Sequence, residues 1–152
     1  MPTDDDVPES AEGRQILLNR VAEFKSSGDS EEAARSLLQL AWLVKQIGPV
    51  TEKPWYLEYM EYVQEAHLLL DGSTNERLLA SAHRAVSNPF VVDPAEAKKH
   101  LQIALQLSEG VGDHEGRGHA LLQLSHLSRS KDGAHLLLQQ QAYEAFELAG
   151  SS

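Results

Sequence analysis

Apolar positions recur along this chain at steps of three and four, and the stretches that carry them are separated by glycine, proline, aspartate and serine. That pattern predicts helices of about four to five turns joined by short loops. A first helix is expected over 10–27, where Leu17, Val21 and Phe24 share a stripe and Gly28 stops the chain. Asp29 or Ser30 opens a second, "SEEAARSLLQLAWLVKQIG", which ends at Gly48-Pro49 because proline cannot continue a helix. Pro54 opens a third that closes at Gly72. Ser73 with Glu76 has the Ser-x-x-Glu spacing of a capping box for a fourth, expected to end near Asn88-Pro89.

After an extended "FVV", the run Asp93-Pro94-Ala95-Glu96 combines a capping carboxylate, a proline in the first turn and a glutamate three residues after the cap. A fifth helix follows. A sixth is expected over about 114–128 and a seventh over about 132–148, with no alternating β-branched run between them. The expected class is all-α with about seven helices. The first ten residues carry Pro2, Pro8 and Asp4 to Asp6 with little to bury, and read as a disordered acidic tail before a single domain over 11–150.

Several helices share an internal spacing. Ala34-Leu38-Ala41, Ala97-Leu101-Ala104 and Ala142-Phe146-Ala149 each read small-large-small at plus four and plus three, and Leu78-Ala82-Ala85 keeps the small residues at the last two places. Alanine lets two helix backbones approach closely while the large side chain fills the gap, which suits stacked antiparallel pairs. On the segments "EEAARSLLQLA", "EAKKHLQIALQLSEGVGD" and "ALLQLSHL…AYEAF", the chain resembles the tetratricopeptide-repeat superfamily, in its degenerate form, over roughly residues 11–150. The resemblance implies antiparallel helix pairs stacked as a right-handed array that binds extended or helical segments in a concave groove. From Ala41 to Ala85, Ala104 and Ala142 the steps are 44, 19 and 38 residues, so the family's period of about 34 is not kept. Three pairs plus a seventh, capping helix fit this spacing; a pairing of the fourth helix with the fifth, or a non-repetitive α-helical bundle, fits it too.

Composition narrows the function more than the fold. The 152 residues include no cysteine, so disulfides and thiolate chemistry are out and a reducing compartment is allowed; the cytoplasm is the expected location. The segment "MPTDDDVPES" is acidic where a secretory signal would be basic and apolar, and no apolar run approaches the roughly 20 residues needed to span a bilayer. A formal charge of -10 opposes nucleic-acid binding.

Candidate chemistry is sparse. "HEGRGH" resembles a zinc-protease signature only superficially. His114 and His119 are five apart and would point about 140° away from each other on a helix, and Gly116 and Gly118 make the segment a poor rigid helix. His119, Gln123 and His126 share a face and read as a polar stripe on a groove or solvent surface. His67, His83, His100 and His135 are scattered one per helix, and no phosphate loop or nucleophile elbow is present. Glu31 and Glu32, like Glu9 and Glu12, sit at helix starts, where the helix dipole accounts for them. No enzyme activity, cofactor or metal site is expected.

One stretch exceeds what a core needs. Trp55, Tyr59 and Tyr62 occupy one side of the third helix, while Tyr56, Met60, Val63, His67 and Leu70 occupy a neighbouring side. The first side reads as an aromatic recognition ridge or as a second buried face. Arg77 and Arg84, with Lys98, Lys99 and His100, form a basic set that reads as a solvated surface or as a face for an acidic segment of a partner. His119 joins them if the groove runs along the fourth and sixth helices.

The expectation is therefore a protein-protein or peptide interaction module, a scaffold or adaptor, with possible homo-oligomerisation. The resemblance's charged clamp for C-terminal carboxylates is not recognisable in this sequence. Alternatives are a regulatory sensor for a short peptide or small molecule, and a minor α-helical enzyme or metal-binding bundle.

Overall fold

The computed structural model describes residues 7–49, 52–88, 91–128 and 133–150. They form seven helices and no strand: α1 (Ala11–Ser27), α2 (Ser30–Ile47), α3 (Trp55–Leu69), α4 (Glu76–Val86), α5 (Pro94–Gly110), α6 (His114–Leu127) and α7 (Ala134–Ala149). No helix among the described residues is long and apolar enough to cross a membrane. The chain gathers into two compact units, Met1–Ser73 and Thr74–Ser152.

Most helix limits follow from caps that the sequence displays. Ser10, Asp29, Asp93 and Asp113 each accept from the backbone amide three residues on, which satisfies a donor the first turn leaves open. Gly28 takes the left-handed conformation (φ 79°) and its amide reaches back to the last turn of α1. The start of α4 differs from expectation. Asn75, not Ser73, is its cap, accepting from the Leu78 amide at 3.1 Å. Ser73 instead donates its hydroxyl to Glu31 Oε1 at 3.1 Å, fastening the chain after α3 to the start of α2. Gly133, left-handed at φ 75°, precedes α7 as its cap; the expected start at Asp132 lies outside the described residues.

Residues 1–6 of the expected tail also lie outside the described residues. Its last four are part of the fold: Val7 is buried, and the Pro8 carbonyl lies where a side chain at Gly13 would stand. Only glycine admits that approach.

In the first unit α2 packs between α1 and α3. Ala33, Ala34, Leu37, Leu40, Ala41, Leu43 and Val44 are buried on α2, as are Leu17 and Val21 on α1 and Val63 and Ala66 on α3. The large residue of the first small-large-small set is therefore displaced: Leu37 and Leu40 are the filled positions and Leu38 is half-buried. Arg14 meets Glu58 near the starts of α1 and α3, and Lys25 meets Glu65 further along both, so these two helices run in the same sense.

In the second unit α4, α5, α6 and α7 each pack on the next, with α4 also touching α6. Ala97, Leu101 and Ala104 are all buried here, as the spacing predicts, whereas in α7 Ala142 is buried, Phe146 half-buried and Ala149 exposed. The glycines of "HEGRGH" do not weaken a helix. They make one possible, because α6 is crowded on both sides. A Cβ at Gly116 would run into Oδ2 of Asp113, the cap of α6 itself, and lie 2.9 Å from Ser108 Oγ in α5, and one at Gly118 would lie 2.7 Å from the Phe146 ring in α7. The lost helix propensity, about 1 kcal/mol per glycine, is offset by this close packing.

Candidate functional site

The aromatic set of α3 does not form an exposed ridge. Tyr59 is 7% exposed and packs edge-on to Trp55 with ring centroids 5.9 Å apart, while Trp55 and Tyr62 are half-buried. The reason is a pair of charges inside the first unit. Arg14 and Glu58 retain only 6% and 4% exposure and are ion-paired, and the Tyr62 hydroxyl donates to Glu58 Oε2 at 2.9 Å. Tyr62 thus faces inward because a buried carboxylate there requires donors. Burial pushes its phenol above the ordinary range, with Arg14 opposing that rise. Of the two readings of α3, its burial matches the second buried face: Val63, Leu70 and Tyr59 are all core, Met60 and His67 are half-buried, and Tyr56 is the exposed ring of this helix at 38%.

The basic set separates as well. Lys98 and Lys99 are exposed, and Lys99 reaches Glu96 on its own helix at 3.9 Å. His100 turns toward α4, its Nδ1 2.9 Å from His83 Nδ1, so the two imidazoles form one hydrogen-bonded pair linking α5 to α4.

Arg77, Arg84 and His119 do come together, on the side of the second unit where α4 meets α6. The heptad step from Arg77 to Arg84 places both on one face of α4. Arg77 lies 3.6 Å from Asp113, the cap of α6, and one helical stretch later Gln123 donates its amide to the Arg84 carbonyl at 3.4 Å. These two contacts set α4 and α6 side by side in the same sense. The Arg84 guanidinium lies between them. It donates from Nη2 to Ser81 Oγ at 3.1 Å, and its Nη1 is enclosed with no hydrogen-bond partner among the described residues. Burial lowers its pKa from the ordinary arginine value, and the fields of Asp113 and Glu115 pull it back up without either forming an ion pair with it.

His119 stands beside this guanidinium, half-exposed. Its Nε2 is 3.8 Å from Glu115 Oε1, and its ring meets the Phe146 ring edge-on with centroids 5.1 Å apart. Burial lowers its pKa from the ordinary histidine value and Arg84 lowers it further, against a smaller upward pull from Glu115 and Asp113. His126, the third member of the predicted stripe, is exposed. Among the described residues no group of three or more His, Cys, Asp or Glu side chains is placed to hold a metal ion.

Sequence reasoning missed Asp113, Glu115 and Ser81 as neighbours of Arg84, since their meeting depends on how α4 and α6 pack. The Arg14–Glu58 pair carried a readable signal: Arg14 lies on the stripe of Leu17 and Val21, and a charge on an apolar stripe calls for a partner.

No protein-family model matches this chain, and neither a curated protein nor a solved structure matches it.

Proposed function

We propose that this protein is a helical interaction module, a scaffold or adaptor without catalytic activity, that holds an acidic segment of a partner protein on the face shared by α4 and α6. The observation that carries the reading is Arg84. A guanidinium held largely out of solvent, anchored to Ser81 and with an enclosed Nη1 that has no acceptor among the described residues, leaves hydrogen-bonding capacity that those residues do not use. An enclosed donor left unmet costs roughly 1 to 3 kcal/mol, so a small shift of this side chain toward an arriving carboxylate is favourable. Arg77 at the rim, 62% exposed, adds a steering charge, and Gln123 and His119 add polar groups alongside.

The helix order supports reading the units as tetratricopeptide-like pairs. Alternate helices α1 and α3 run in the same sense, as do α4 and α6, with an intervening helix against each pair. In such an array alternate helices line the groove, which is where this reading places α4 and α6. The cysteine-free composition fits a cytoplasmic setting.

Fluorescence anisotropy with a short, capped peptide of alternating aspartate and alanine tests the reading. Binding that weakens on Arg84→Gln by about tenfold, the loss of roughly 1.4 kcal/mol from a charge-assisted contact, supports it. Equal affinity of the two proteins contradicts it.

A further inference from the structure

Among the groups gathered around Arg84 and His119, the charges balance at neutral pH: Arg77 and Arg84 contribute two positive, Asp113 and Glu115 two negative, and His119 none. Glu115 is the carboxylate that can be reassigned. It lies 3.8 Å from His119 Nε2, and its field also falls on Arg84. The groups around the imidazole are Asp113 and Glu115 from α6 itself, Arg84 from α4 and the uncharged Phe146 ring from α7.

Building on the recognition reading above, we propose that His119 is a proton-operated switch of this face: its protonation pairs it with Glu115, leaves the face with one net positive charge, and strengthens its hold on an acidic segment. The imidazole already stands beside Glu115, with its ring edge-on to Phe146, so the pairing calls for only a small approach of the two side chains. Because Arg84 and burial oppose charging, the switch operates below the usual histidine range, and an acidic occupant opposes them in turn. Proton and partner therefore favour each other.

The aspartate-alanine peptide distinguishes the possibilities, since its carboxylates stay largely ionised down to about pH 5. Titrations near pH 7.5 and near pH 5 are run on the full chain and on its Arg84→Gln and His119→Gln variants. One added charge at contact distance through solvent-exposed surroundings is expected to tighten binding roughly fivefold at the lower pH, and His119→Gln should bring the ratio of the two affinities close to one. A ratio retained in His119→Gln, or no tightening in the natural protein, overturns the switch while Arg84-dependent binding leaves the recognition reading standing. Absence of Arg84-dependent binding at both pH values overturns both. Independently, the His119 imidazole followed by NMR should titrate at higher pH when the peptide is bound, and an unmoved titration counts against the switch.

Discussion

Arg14 and Glu58 form an ion pair almost entirely removed from water, at 6% and 4% exposure, and it joins the start of α1 to the start of α3. Arg14 Nη1 is enclosed without a partner among the described residues, so the pair is an incompletely satisfied one. Removing one partner strands a charge in the interior. Arg14→Leu is expected to destabilise the protein by about 3 to 5 kcal/mol, whereas Arg14→Leu with Glu58→Leu should recover most of that loss. Chemical denaturation of the two variants checks this, and a double variant as unstable as the single one would show that the charges themselves stabilise the fold.

The two tyrosines at the start of α3 should separate in the same assay. Tyr59→Ala opens a cavity beside Trp55 and is expected to cost about 3 to 5 kcal/mol, as for other large buried rings. Tyr56→Ala, at an exposed position, should cost about 1 kcal/mol or less.

Gly118→Ala inverts the usual helix rule. Alanine in mid-helix ordinarily gains about 1 kcal/mol over glycine, but here its methyl would stand 2.7 Å from the Phe146 ring. Net destabilisation of about 1 to 3 kcal/mol is expected from the overpacking. Adding Phe146→Leu should relieve part of it, and a stabilised Gly118→Ala would show that α7 yields readily.

His119 sets a pH dependence of known sign. Its pKa in the folded chain lies below the ordinary 6.5, so the unfolded chain takes up that proton first. The residue has no effect on stability above that range and subtracts from it as the pH falls through the ordinary value toward the lowered one. His119→Gln should therefore lose less stability than the natural protein between about pH 7 and 5, measured as the difference in denaturation midpoints.

How much of this is legible in the sequence depends on whether the signal is local. Helix starts at Ser10, Asp29 and Asp93 are set by a side chain and an amide three residues apart, and they stand where the sequence puts them. At α4 the spacing of Ser73 and Glu76 is equally regular, but Glu31, distant in sequence, takes the Ser73 hydroxyl and leaves the capping to Asn75. Gly116 and Gly118 mislead for the same reason, because only the approach of α5 and α7 reveals what their missing side chains permit. Arg77, Arg84 and His119 were visible as basic or polar positions on helix faces. That they share one face is decided by α4 and α6 lying side by side in the same sense, with Gln123 on the Arg84 carbonyl. Tyr59 and Tyr62 read in sequence as either a ridge or a second buried face, and spacing alone does not choose between them; in the fold Tyr59 is buried and the Tyr62 hydroxyl donates to the buried carboxylate of Glu58.

The central claim, that the α4/α6 face receives an acidic segment, is tested most directly by mapping amide chemical shifts of the natural protein during titration with the capped aspartate-alanine peptide. The account predicts saturable shifts centred on Arg77, Arg84, His119 and Gln123, lost in Arg84→Gln while the rest of that variant's spectrum remains folded. Shifts centred on α3 around Trp55 and Tyr56, or a saturable response that Arg84→Gln leaves intact, would contradict it.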